Sequence, residues 1–277
     1  MNTMVSPSGE DAAVVALWLR ERPATTRRAY TADYGVFTDF VRKPLVEITS
    51  DDLFRFAAQV QGAPSTRARR LAGVKSLMGF SHRIGVRKDD PARALKLPRV
   101  PRDLNARVLR EDEIPELIKE THGSRNQALL RTLYFSGARI QEVVGLRWKD
   151  LGRRWVALRG KGEKFRTVLV PDHVLTELRS LRRSDASESD PVFRGSPGRP
   201  LSAGQARRII SAAGFEALGK RVSCHWFRHS HACHAVEHGV PLHVLQASLG
   251  HASLSTTSLY LHARPTQGSS QYLRLPP

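Results

Sequence analysis

Only one stretch of this chain alternates with the period of a β-strand on both sides of a turn, and that limits the fold more than any other feature. The segments RWVALR (154–159) and FRTVLV (165–170) flank Gly160-Lys161-Gly162-Glu163-Lys164, and alternation around a glycine-rich tip predicts a hairpin. Two strands cannot enclose a core by themselves, so helices must bury the remaining apolar residues. The expectation is a mainly α fold with a small β-hairpin sheet.

Helical spacing begins at Ala12 and runs through Leu19, then resumes from Thr25 to Phe40, placing Tyr30, Tyr34, Phe37 and Phe40 on one core-facing side. Thr25 or Thr26 is the expected cap of this second helix. Ser50-Asp51-Asp52 opens a third helix through Leu53, Phe54 and Phe56, and Pro64-Ser65-Thr66 a fourth through Leu71, Val74, Leu77, Met78 and Phe80. The fourth carries Arg67, Arg69, Arg70 and Lys75 on its polar side, which reads equally as a phosphate-facing stripe or a solvated face. Periodicity then fails across KLPRVPRD (96–103), a proline-bearing basic stretch expected to be an interdomain linker, with Arg99 and Arg102 suited to crossing a phosphate backbone. The expected organisation is a flexible start (1–10), a helical domain (11–95), the linker (96–106), a second domain (107–264) and a tail (265–277). Helices in the second domain are expected over 111–119, 126–135, from 140, and over 173–181, 203–215, 225–237, 242–248 and 254–261.

The chain has 44 Lys and Arg against 26 Asp and Glu, a formal charge of +18, so it binds polyanions by counterion release whether or not it reads sequence. Ribosome-associated and membrane-surface proteins share that charge, so composition alone does not select DNA. With 40% hydrophobic residues the chain is not a disordered tail. No apolar run reaches the roughly 18 residues of a membrane span, and the start lacks a secretory signal, so a cytoplasmic protein is expected. Cys224 and Cys233 on one helix would stand roughly 13 Å apart, too far for a disulfide.

The chemistry lies near the C-terminus, in HWFRH (225–229), LGH (249–251) and Tyr260. Attack of a phenol on a phosphodiester passes through an anionic pentacoordinate phosphorus that guanidinium groups neutralise best, because their planar fork binds phosphate bidentately and stays charged. Arg228, three residues after His225, points from the same helical face as that histidine. A second fork is expected at Arg139, where SGARIQE (136–142) turns at a glycine into a helix start. Glu142, one turn on, is placed to orient Arg139 or a neighbouring histidine, or to make an ordinary surface ion pair. Lys161 at the hairpin tip, between two glycines, can reach into a groove as a proton donor, though by itself it reads more readily as an exposed turn lysine. Tyr260 alone would be a packing residue; with these neighbours it is a nucleophile.

Assembled, the pattern resembles the tyrosine recombinase (lambda-integrase) family, in particular its Xer-like bacterial members. The family's [TS]-G-x-R-x-x-E-[LV]-x-x-L box is matched by SGARIQEVVGL (136–146), its G-K-G-x-K hairpin by GKGEK (160–164), its H-x-x-R-H box by HWFRH (225–229), and its L-G-H and later tyrosine by residues 249–251 and Tyr260. Thr26, Tyr30 and Asp90-Pro91-Ala92 match the looser N-terminal pattern, with Asp replacing the usual Asn. The resemblance implies a SAM-like four-helix core-binding domain followed by a catalytic domain, acting on double-stranded DNA near the bacterial nucleoid. It implies that Arg139 and Arg228 clamp the scissile phosphate, Lys161 protonates the leaving 5′ oxygen, His225 assists the tyrosine's proton transfer, His251 bonds a non-bridging oxygen, and Tyr260 forms a 3′-phosphotyrosyl link. Glu142 and His229 support these groups, and Lys164 joins the DNA contacts. No cofactor, metal or ATP is required, because the covalent link conserves the phosphodiester energy. Assembly to a tetramer on two synapsed sites follows, alone or with a second recombinase. A type IB topoisomerase and a catalytically silent DNA-binding protein are the alternatives. The cluster Cys224, His225, His229, His231, Cys233, His234 and His238 also raises a zinc reading, which the family's use of His225 and Arg228 disfavours. The tail departs from the Xer-like pattern, since HARPTQGSS (262–270) breaks the helix expected to dock on a neighbouring protomer.

Overall fold

A computed structural model of the chain describes residues 9–100, 107–160, 165–195, 199–250, 257 and 260. The chain divides into two compact units between Arg102 and Asp103. Among the described residues no helix is long and apolar enough to cross a membrane.

Among the described residues the first unit holds four α-helices: α1 (Gly9–Arg20), α2 (Ala24–Val41), α3 (Ser50–Gln59) and α4 (Pro64–Arg83). Thr25 and Thr26 do not cap α2; the helix starts one residue earlier, after Pro23, with no side-chain cap. Proline sets the extended entry by its fixed φ, so the threonines fall inside the first turn. For α3 the cap is Thr49, whose hydroxyl accepts from the Asp52 amide while the Asp52 carboxylate accepts from the Thr49 amide, a reciprocal pair that stops unwinding. Phe37, Leu45, Ile48, Leu53, Phe56, Leu77 and Met78 fill the core, with Phe37 and Phe56 edge to face at 5.0 Å. Tyr30 stacks on Trp18 at 5.1 Å at the margin of that core. Phe40 is exposed, so the aromatic face of α2 is less deeply buried than its spacing implies, and on α3 Phe54 is exposed too.

The second unit contains α5 (Glu113–Lys119), α6 (Ser124–Ser136), α7 (Ile140–Val144), the strands β1 (Trp155–Arg159) and β2 (Phe165–Leu169), then α8 (Asp172–Ser180), α9 (Ala203–Leu218), α10 (Cys224–Glu237) and α11 (Leu242–Leu249). The strands pair antiparallel, as expected of a hairpin, from Trp155 opposite Leu169 to Arg159 opposite Phe165. Their inward side chains, Val156, Leu158 and Val168, join the core, while Phe165 and Leu169 face out. The fold is mainly helical with one small sheet, as the sequence implies. At its centre α6 packs against α5, α7, α8 and α10, burying Leu129, Leu130 and Leu133 completely. A smaller apolar cluster of Val108, Ala232, Cys233, Leu245, Leu249 and Tyr260 lies on another side of α10. Both cysteines are buried.

Candidate active site

The end of α6, the start of α7, β2, α10 and the end of α11 bring the candidate residues together. α6 stops at Gly137, in the left-handed region at φ 58°. A Cβ there would lie 2.6 Å from His231 Cδ2 and 2.8 Å from Leu249 Cδ2, so the turn demands glycine for space as well as for backbone conformation. The chain then extends through Arg139, which immediately precedes α7.

Arg139 is held by Glu142 without being consumed by it. Its amide donates to Glu142 Oε2 at 2.7 Å and its Nη1 to Oε1 at 3.3 Å, yet its side chain is 46% exposed, leaving most guanidinium donors for a ligand. The Glu142 side chain is only 4% exposed and accepts two further bonds from Arg166, Nη1 at 2.7 Å and Nη2 at 2.8 Å. Burial works to raise the Glu142 pKa, but the Arg166 fork, the Arg139 amide and both cationic charges outweigh it and hold the carboxylate below its ordinary range.

Arg166 carries no role in the sequence reading, although its position offered a signal. It shares the inward face of β2 with Val168, two residues on. An arginine facing a core needs a carboxylate, and Glu142 was the carboxylate without a settled partner. Its Nε also donates to the Ser248 carbonyl at 2.8 Å, so this one side chain ties the hairpin to α7 and to α11.

Arg228 lies on α10, 4% exposed, with Nη1 donating to the Gly137 carbonyl at 2.7 Å and Nη2 to the Leu249 carbonyl at 2.8 Å. Burial, then the charge of Arg139, lowers its pKa to about 10, which leaves it a cation at neutral pH. His225, one turn earlier, is exposed on a recess of about 350 Å³ lined also by Ile140, Arg207, Arg221 and Ser223. Partial desolvation at that wall, followed by the charges of Arg228, Arg139 and Arg207, lowers its pKa. His229, one turn later, has Nδ1 3.1 Å from the Tyr260 hydroxyl oxygen. Burial, then His225, Arg107 and Arg228, pushes its pKa down to about 4. Tyr260 is 6% exposed; burial raises the phenol's pKa against the opposing pull of Arg228 and Arg139.

Thus Arg139, Glu142, Arg228, His229 and Tyr260 form one electrostatically coupled group with His225 at its rim. Lys161, Lys164, His251 and Arg102 lie outside the described residues. In the first unit, Arg69 and Arg70 pair with the buried Asp33, and Lys75 donates to the Arg93 and Leu95 carbonyls. Arg67 and Arg99 are exposed. Among the described residues, Glu111, His234 and Glu237 place possible metal-ligand atoms within 4.8 Å of one another. His234 is already engaged through both ring nitrogens, with the Leu109 carbonyl at 2.9 Å and the Tyr134 hydroxyl at 3.0 Å, which disfavours it as a ligand.

A basic chain with this fold and this group of residues belongs to the phage integrase family, whose model matches residues 107–267. The chain is similar to tyrosine recombinase XerC of Mycobacterium sp. (strain JLS), 33% identical over 269 residues that cover 88% of this chain and 89% of that protein. Among solved structures it resembles a lambda integrase dimer bound to a COC′ core site, with a TM-score of 0.77 at 16% identity over 94% of this chain and 96% of that one. It also resembles a lambda integrase tetramer bound to a Holliday junction, with a TM-score of 0.71 at 15% identity over 87% and 77% of the two chains. At those identities the structures speak for the fold alone.

Proposed function

We infer that this protein is a site-specific tyrosine recombinase that cleaves and rejoins DNA strands through a covalent 3′-phosphotyrosyl intermediate at Tyr260. The observation that carries this reading is a phenol buried beside a histidine and under the charges of Arg228 and Arg139. In the proposed reaction the two guanidiniums clamp the non-bridging oxygens of the scissile phosphate. Arg139 approaches from the exposed turn before α7, and Arg228 from its buried position on α10. Both arrive oriented, one by Glu142 and one by two carbonyls, so little reorganisation accompanies charge development in the transition state. His225 borders the same phosphate, Lys161 delivers a proton to the 5′ oxygen, and His251 adds a donor to a non-bridging oxygen. Residues 107–264 act as the catalytic domain and 11–95 as the core-binding domain on double-stranded DNA. Four protomers work on two synapsed sites in the cytoplasm, alone or with a second recombinase. The relaxing-enzyme and silent-binder readings find no comparable support, since the similar curated proteins are named recombinases and the nucleophile sits among the charges it needs.

Incubation with a nicked suicide site should trap a covalent protein–DNA adduct, and Tyr260→Phe should abolish it while DNA binding persists. An adduct that survives that substitution overturns the reading.

A further inference from the structure

Among the described residues, the histidine within hydrogen-bond distance of the phenol is not the one that the family resemblance assigns to its proton. Tyr260 meets His229, with ring centroids 5.8 Å apart and Nδ1 3.1 Å from the hydroxyl oxygen. His225 stands one helical turn away, its ring centroid 6.4 Å from that of His229. On α10 His225 precedes Arg228 by three residues and His229 by four, so it neighbours both, and the charge of Arg228 still reaches the His229 ring.

We propose that His229 is a catalytic residue that takes the phenol's proton as Tyr260 attacks the scissile phosphate, a role that rests on the recombinase reading above. The bond from Tyr260 Oη to phosphorus forms while the Oη–H bond breaks, and the proton passes to Nδ1 of His229, whose Nε2 carries the hydrogen of the neutral ring. The bond from phosphorus to the 5′ oxygen breaks, and that oxygen takes its proton from Lys161. On rejoining, each transfer runs backwards, and nothing is oxidised or reduced.

The groups that act on His229 suit this role. Burial first, then His225 from α10, Arg107 from the segment before α5 and Arg228 from α10, keep its ring neutral in the free protein, so a nitrogen lone pair is available to accept. Arg139, Arg228 and Cys233 act in turn on Tyr260. A bound phosphodiester places negative charge among these cations, which relieves the penalty on an imidazolium just when the attacking oxygen loses electron density. Burial raises the phenol's own pKa, so spontaneous ionisation does not replace a base.

The test uses the full chain with two suicide duplexes, one natural and one with sulfur replacing the bridging 5′ oxygen, since a thiolate leaves without a proton. Adduct formation by His229→Ala should fall about 100-fold on both duplexes. The lost rate should return about tenfold per pH unit as rising pH ionises the phenol, while DNA affinity stays unchanged. His229→Gln, which can accept the phenol's hydrogen bond but not its proton, should be equally slow and carries the test if the alanine variant unfolds. Lys161→Ala, in contrast, should be restored by the sulfur substrate. Full activity of His229→Gln, rescue of either His229 variant by sulfur, or a loss without pH dependence overturns the assignment. A wild-type chain that forms no adduct, or Tyr260→Phe that does, defeats the recombinase reading instead.

Discussion

Each of the two units contains a buried carboxylate shared by two arginines, and the contrast between them separates a structural use of charge from a functional one. In the first unit Asp33 on α2 receives Arg69 and Arg70, adjacent residues of α4 whose remaining contacts are the Ala29 and Gln61 carbonyls. That cluster fastens α2 to α4 and to the short turn before it. In the second unit Glu142 receives Arg166 from the hairpin and Arg139 from the turn before its own helix, and Arg166 continues to Ser248. Every segment so joined leads to a proposed site residue: the hairpin to Lys161, the turn to Arg139, and the end of α11 to His251. A pair that closes on itself contributes local stability, whereas one that links separate elements also sets the geometry between them.

The largest separation between the clusters should come from removing one partner in each. Arg166→Ala strands a carboxylate that is 4% exposed and should cost about 3 kcal/mol. It should also slow adduct formation about 100-fold in the folded fraction, because the three segments lose their common tie. Asp33→Asn should cost about 1 kcal/mol, since both guanidiniums keep carbonyl partners and reach water, and should leave the rate unchanged. Urea unfolding together with single-turnover trapping measures both. Equal slowing by the two variants would break the contrast.

Acid should separate the units next. His229 and His231 both have pKa values pushed down to about 4, by burial first in each case, whereas an unfolded histidine titrates near 6.5. The folded state therefore binds these protons more weakly than the unfolded one, so the contribution to stability is complete above pH ~6.5 and is lost as pH falls toward about 4. Glu142, whose pKa is lowered, adds a loss at still lower pH, beginning below the unfolded carboxylate value near 4.3. The first unit contains a single histidine, His82. Hydrogen exchange followed by mass spectrometry between pH 6.5 and 4.5 should show protection falling in the second unit first; simultaneous loss would remove the assigned role of the two histidines.

The smallest effect concerns the polar side of α4. Arg67, exposed beside the internally paired Arg69 and Arg70, should behave as a simple phosphate contact. Arg67→Ala should weaken DNA binding several-fold and reduce the slope of log affinity against log salt by about 1. An unchanged slope would return the residue to the solvated face.

The hairpin and the helix order were legible because their signals are local: strand alternation around a glycine tip and apolar residues at helical spacing. Arg139 and Arg228 were legible as a pair because glycine-turn and helix-face geometry restrict where a guanidinium can point. The start of α3 at Ser50 was legible, but its cap was not, since only the reciprocal bond with Asp52 singles out Thr49. Arg166 was missed because its partner lies 24 residues upstream on another element. The pairing of His229 with Tyr260 was hidden for the same reason: sequence spacing ranks both histidines of HWFRH alike, and only the packing of Tyr260 against Ala232, Cys233 and Leu249 decides which ring it meets.

The anchoring of Arg228 has an evolutionary consequence. Its two fixed donors rest on the carbonyl oxygens of Gly137 and Leu249, atoms that every amino acid possesses. No exchange of an acceptor side chain can therefore release this guanidinium; only a change in the path of the main chain can. The information that holds the arginine in place is stored in the left-handed turns at Gly137 and Gly250, two positions with no side chain at all.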